Sequence, residues 1–273
     1  MPIVKLFVEG SLEMQILTPI LGGDPLLQQG GSKNSLKPRA GTERRENKVT
    51  AGYLRDRDFD YDPPGDLSRP TLDSEHDGTP LGWRWCRHEI ENYLIDPAVV
   101  SEALPADIRD VEEAIRQAAA SIRSYEAVRW TIGIVRRDLP PQYELKTRPD
   151  GLNEIDLPPG LEALDVNQWA LESIEAHRRR IVATTEPDAV RATLDRLAAR
   201  FDGPFIANVA DVLLWFSGKD LLAGMADWLH AQGVASPGAF RAKLRDWVIA
   251  NPVRALELLP ERSAMIDLLR AAG

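Results

Sequence analysis

The chain is expected to be α/β, a mainly parallel sheet flanked by helices and followed by a largely α-helical carboxyl-terminal half. Three observations predict this. Short apolar, β-branched runs at 3–8, 24–29 and 49–56 are spaced by one helical pattern and one polar stretch, the rhythm of a parallel sheet. An alternation of large and basic residues at 82–87 reads as a further, half-exposed strand. From residue 97 onward nearly every segment repeats apolar residues at helical spacing. The expected division is a sheet domain at 1–105 and a helical domain at 106–273, with a break near 140–160.

Taken in order, the run at 3–8 is a buried first strand that ends at Glu9-Gly10. Apolar residues at Leu12, Ile16, Leu17 and Ile20 make 11–21 a helix, with Ser11 near its cap. Glu9 thus stands at the carboxyl end of a strand and the start of a helix, where sites form in open α/β sheets. Residues 24–29 give a short second strand. The stretch 34–47 is polar and basic, and Pro38 and Gly41 interrupt it, so at best a short helix is expected there. The third strand, 49–56, runs into Asp56-Arg57-Asp58-Phe59-Asp60-Tyr61-Asp62. In extended geometry these four aspartates would share one face, and Arg57 would point away as an ion-pair partner. Such a run is either a solvated acidic loop or a cation site. The prolines, aspartates and glycines of 63–80 predict a loop.

Helices are expected at 97–103 and 106–134, then at 168–184, 187–201, 209–222, 225–231, 237–250 and 252–269. Trp169, Trp215, Trp228 and Trp247 lie at helical spacing, which favours core positions over an assembly surface.

Composition narrows the possibilities. Of 273 residues, 44% are hydrophobic and 27% charged, as in soluble globular proteins. One cysteine, Cys86, and four scattered histidines leave no disulfide framework and no Cys/His zinc cluster. No apolar run reaches membrane-spanning length and the start lacks a secretory pattern, so a cytoplasmic protein without a membrane partner is the expectation. A net charge of −9 argues against indiscriminate phosphate binding. Local basic patches remain, at Lys33, Lys37, Arg39, Arg44, Arg45 and Lys48, and at Arg178, Arg179 and Arg180.

Three acidic points converge if the sheet is parallel: Glu9, Asp56 with Asp58, and the pair Glu89 and Glu91. Taken singly, Glu9 could cap the following helix. Glu89 reads as a surface residue beside a buried Ile90. Taken together, Val8-Glu9-Gly10 before a helix and an apolar strand ending in Asp56-Arg57-Asp58 resemble the Toprim domain. That domain is shared by primases, type IA and II topoisomerases, RecR-type proteins and OLD-family nucleases. His88-Glu89-Ile90-Glu91-Asn92-Tyr93-Leu94 and Phe216-Ser217-Gly218-Lys219-Asp220-Leu221-Leu222 are similar to segments of a narrower group, the Toprim-like domain of unknown function 4435. That group is related to OLD-type proteins and includes the nuclease effector of the PARIS anti-phage system.

The resemblance implies a Toprim-like domain over roughly the first hundred residues and a metal-dependent nuclease acting on DNA or RNA, transfer RNA included. It implies magnesium or manganese held by Glu9, Asp56, Asp58 and Glu91, with Glu9 also a general acid/base. It implies an ABC-type ATPase partner, and a homo-oligomer is compatible with it. Lys219 would touch phosphate; alternatively it is an exposed lysine at a helix start. Asp60 and Asp62 have no counterpart in the pattern.

Other readings fit less of the chain. An EF-hand loop fails, because Leu67 or Arg69 would stand where its bidentate glutamate belongs. A nucleotide-sugar transferase with Asp-x-Asp leaves Val8-Glu9-Gly10 without a role, and a haloacid-dehalogenase-like site would want its Asp-x-Asp on the first strand. No phosphate-loop motif is present, so any ATPase activity must come from a partner. A non-catalytic, metal-binding assembly subunit remains the alternative of a different class.

Overall fold

The structure is a computed structural model describing residues 3–74, 78–141, 145, 163–258 and 260–271. The chain forms two compact units: Met1–Glu126 with Asp202–Gly273, and Ala127–Phe201 between them. This differs from a sheet half and a helical half meeting near residue 105. The last seventy residues pack with the sheet, because their helices bury apolar stripes against elements of the first hundred.

In the first unit, β1 (Lys5–Val8), β2 (Leu26–Gln29), β3 (Ala51–Arg55) and β5 (Pro80–Arg84) are parallel. The short β4 (Thr71–Ser74) is antiparallel to β5 at one edge, and the order is β2-β1-β3-β5-β4. Leu6, Phe7 and Val8 are all buried, as are Ala51, Tyr53 and Leu54. Such uninterrupted burial marks strands covered on both faces. Tyr53 crosses toward β5, where a Cβ on Gly82 would come within 2.5 Å of its ring. Its hydroxyl donates to Asp73 of β4 at 2.8 Å, and Arg84 holds Asp73 from β5 at 3.1 Å. These two contacts secure the edge strand inside the stretch expected to be loop.

The helix α1 (Ser11–Leu21) follows β1, and Gly22, at φ 67°, ends it in the left-handed conformation glycine adopts without strain. The polar stretch forms a full helix, α2 (Lys33–Arg45), despite Pro38 and Gly41. Packing overrides propensity here. Leu36 and Ala40 are buried in one cluster with Phe7, Ala51, Tyr53 and Leu81, while Pro38 and Asn34 face solvent. The carbonyl deprived of its partner by Pro38 can therefore be hydrated.

After the sheet come α3 (Glu91–Leu94), α4 (Pro97–Ala103) and α5 (Ile108–Asp138). Residues 203–271 form α8 (Gly203–Ala207), α9 (Val209–Trp215), α10 (Gly218–Gly224), α11 (Ala226–Ala231), α12 (Pro237–Ala250), α13 (Pro252–Leu258) and α14 (Pro260–Ala271). Of the expected helices, 209–222 is divided, while 252–269 is helical on both sides of residue 259, which lies outside the described residues. The first breaks at Phe216 and Ser217, whose extended backbone lets the Ser217 hydroxyl cap α10. Helix α12 packs on α1, α3 and α4, while α9 and α10 pack on α3.

The second unit holds the end of α5 with α6 (Ala163–Thr185) and α7 (Pro187–Arg200). Arg178, Arg179 and Arg180 lie exposed on α6, and Glu175 pairs with the first two. Most of the break expected at 140–160 lies outside the described residues. The four tryptophans expected in the core are half-buried. Among the described residues, no helix is long and apolar enough to cross a membrane.

Candidate functional site

The carboxyl ends of β1 and β3 are neighbours in the sheet, so Glu9 and Asp56 meet. A Glu9 oxygen accepts the Asp56 backbone N–H at 3.1 Å. Immediately afterwards the chain leaves strand geometry, and the aspartates do not share one face. Asp56 is buried and accepts the Ile90 N–H at 3.0 Å. Asp58 takes a left-handed φ of 49° and donates its own N–H to the His88 carbonyl at 2.9 Å. Asp60 binds Lys33 at 2.6 Å and Arg55 at 2.9 Å, and Asp62 is exposed. The turn is fixed by Arg57, which is 2% exposed. Its guanidinium donates to the carbonyls of Cys86 (3.0 Å), Asp58 (3.3 Å), Tyr61 (2.6 Å) and Leu214. Arg57 is thus a buried staple on main-chain oxygens.

The second half of the site joins two segments more than a hundred residues apart. Asn92 is fully buried; its side-chain oxygen accepts the N–H groups of Glu89 and Gly218, both at 3.1 Å, and its amide donates to Phe216 at 2.9 Å. Glu89 accepts from the Ser217 hydroxyl at 2.9 Å and the Lys219 N–H at 2.8 Å, and it also pairs with the Lys219 ammonium. Glu89 is 3% exposed, so the surface placement expected of it is corrected. Glu91, also buried, pairs with Lys219 at 3.4 Å and Arg241 of α12 at 3.1 Å. Lys219 stands in the first turn of α10, as expected of a lysine at a helix start, yet both of its partners are acidic site residues.

One further acidic group was not singled out in the sequence. Glu13, in the first turn of α1, accepts the Gly10 N–H at 3.1 Å and is only 8% exposed. Its signal was the helix start beside Glu9, where a glutamate three residues in closes on the cap. Glu89 joins Asp58 and the buried His88 in a group offering three ligand atoms within 4.8 Å of one another. The Phe59 ring packs edge-on against His88 with centroids 4.3 Å apart.

Crowded carboxylates raise one another's affinity for protons. Burial, then Asp58, pushes the Glu9 carboxyl up to about 7, although the Asp56 N–H opposes the shift. Asp56 rises well above the usual range, first from burial and then from Glu13, Asp58, Glu9 and Glu89. Glu13 and Glu91 rise as well, chiefly from burial. Burial disfavours charge on Lys219 and Lys33, but their carboxylate partners outweigh it and raise both. Lys33 lies 2.9 Å from Asp58.

This donor set suits a hard divalent ion. Glu9, Asp56, Asp58, Glu13 and Glu89 are electrostatically coupled, and their mutual repulsion is what a magnesium or manganese ion relieves; among the described residues, the converging ligand atoms are those of Asp58, His88 and Glu89. Glu9, Asp56 and Glu91 stand outside that three-residue group, and Glu91 is held by two cations. No family model matches the chain, and no curated protein matches it.

Proposed function

We propose that the protein is a magnesium- or manganese-dependent nuclease of the Toprim type, cleaving phosphodiester bonds of DNA or RNA, transfer RNA included. The observation that carries this reading is the Glu9–Asp56 contact, which joins the ends of two parallel strands inside a buried acidic cluster. Glu9, Asp56 and Asp58 would hold the ion. When bound, such an ion neutralises charge on the phosphate and acidifies a water.

The chain's own groups divide the remaining work. The Asp56 N–H fixes one Glu9 oxygen, leaving the other to hold or release a proton near neutrality. Asp56 is oriented by the Ile90 N–H. Lys219, half-exposed above Glu89 and Glu91, would meet the charge that develops on phosphate. The resemblance adds an anti-phage role beside an ABC-type ATPase, and the resemblance alone supports that part.

Cleavage of labelled DNA and RNA in magnesium and in manganese tests the proposal. Glu9→Gln and Asp56→Asn should each reduce the rate by about 100-fold or more while leaving the fold intact. Calorimetry with manganese separates the alternatives. Binding without cleavage would favour a non-catalytic, metal-binding subunit, which the ammonium groups already on Asp58 and Glu89 make reasonable. Absence of both would sink the nuclease reading.

A further inference from the structure

We propose that Arg241 contacts a substrate phosphate and that Glu91 positions Arg241 rather than holding the cation, an inference that rests on the nuclease reading. Arg241 follows Phe240 in α12. Ser236 caps this helix by accepting the Ala239 N–H at 3.1 Å, and Phe240, Leu244 and Val248 form its buried stripe. That stripe rotates Arg241 onto the flank of the helix, where Nη1 donates to Glu91 Oε1 at 3.1 Å.

Three observations single it out. Among the described residues, Glu91 is the only partner of the Arg241 side chain, which stays 45% exposed. A guanidinium carries five N–H donors in a planar fork, so most of its donors face outward. Nearby cations are committed elsewhere: Lys33 to Asp58 and Asp60, Arg55 to Asp60, Arg57 to main-chain carbonyls. Finally, Glu91 is 2% exposed and turns one oxygen to Arg241 and the other to Lys219. A carboxylate so engaged acts as an anchor beneath two half-exposed cations.

A rim that offers a lysine and an arginine fork beside an acidic cluster suits a phosphate polymer. One phosphate can meet the two cations while its neighbour lies over the carboxylates. A small carboxylate ligand would meet the cluster's repulsion without that second attachment.

The test is fluorescence anisotropy with labelled oligothymidylate and oligouridylate in calcium, followed across salt concentrations. Arg241→Ala and Arg241→Gln should weaken binding about tenfold and flatten the slope of log affinity against log salt by about 0.7, the share of one phosphate on a single strand. Arg241→Lys should recover most of the slope. Glu91→Gln should weaken oligonucleotide binding while leaving manganese affinity, read by calorimetry, within about twofold of the parent. Thermal melting of each variant monitors the fold, and the Gln and Lys variants serve should the Ala variant not fold.

A parental slope in both Arg241→Ala and Arg241→Gln would overturn the assignment, leaving Arg241 as a mere counter-charge for Glu91. Collapse of manganese affinity in Glu91→Gln would overturn the positioning role. If the parent binds neither oligonucleotide, the nuclease reading falls and this inference with it; parental binding with an unchanged variant slope removes only the inference.

Discussion

At the residue scale, the site depends on one missing methyl group. A Cβ on Gly218 would come within 2.7 Å of the Asn92 backbone nitrogen and 2.9 Å of the Glu91 carbonyl carbon. Main chain cannot step aside as a flexible side-chain tip can, so α3 and α10 would be forced apart. Gly218→Ala should therefore cost about 2–3 kcal/mol in urea unfolding, the range of a poorly accommodated core insertion. Gly203→Ala is the control: nothing lies within 4 Å of its added Cβ, and the change should stay within about 0.5 kcal/mol. Equal effects at the two glycines would sink the close-docking argument. Site residues were unevenly legible at this scale. Glu9, Asp56 and Lys219 announced themselves by motif. Glu13 and Arg241 did not, because a first-turn glutamate and an exposed helical arginine are ordinary until tertiary packing brings them to Glu91.

At the scale of the element, helix ends with strong local chemistry could be read directly from the chain. Helix α4 begins with Pro97 after a capping Asp96, and α12 with Pro237 after a capping Ser236; both boundaries match expectation. Elements fixed by distant partners were harder to read. Strand β4 has four residues and one strand partner, and α2 contradicts its own propensities. The aspartate ladder failed for a related reason: alternation predicts a shared face only while φ and ψ stay extended, and Asp58 leaves that region. The α2 account makes its own prediction. Since Pro38 is exposed inside a helix held by Leu36 and Ala40, Pro38→Ala should restore a hydrogen bond and raise stability. About 3 kcal/mol of helix penalty is relieved, less up to about 1 kcal/mol of added unfolded-chain entropy, leaving about 2 kcal/mol. A lower urea midpoint in Pro38→Ala would mean that α2 is not the regular helix described.

At the scale of the whole molecule, parallel topology explains why residues 9 and 56 meet, and this much followed from strand spacing alone. Which later helices complete the site did not follow. Amphipathic periodicity shows that a helix is buried on one side but not against what, so within the segment that joins the sheet's unit only the stretch around Lys219, through its resemblance, pointed to the site. The resulting concentration of carboxylates makes stability depend on pH and on cations. Folding raises the Glu9 carboxyl from 4.5 to about 7, so between those values the folded protein holds more protons than the unfolded chain. The stability Glu9 contributes is fully present below 4.5 and is lost as pH rises through about 7. Glu9 is partly solvated, which reduces the effect to about 1–2 kcal/mol. Urea unfolding in chelator should therefore show stability falling across this window in the parent and a shallower fall in Glu9→Gln. A divalent ion should act in the opposite sense, because it binds the deprotonated cluster and displaces protons. At about 100 times its dissociation constant, manganese should add about 2.7 kcal/mol above pH 7 and progressively less toward pH 5. Manganese stabilisation that is equal at both pH values would place the ion away from Glu9. A parent and Glu9→Gln with the same pH slope would remove Glu9 as the group whose proton the ion displaces.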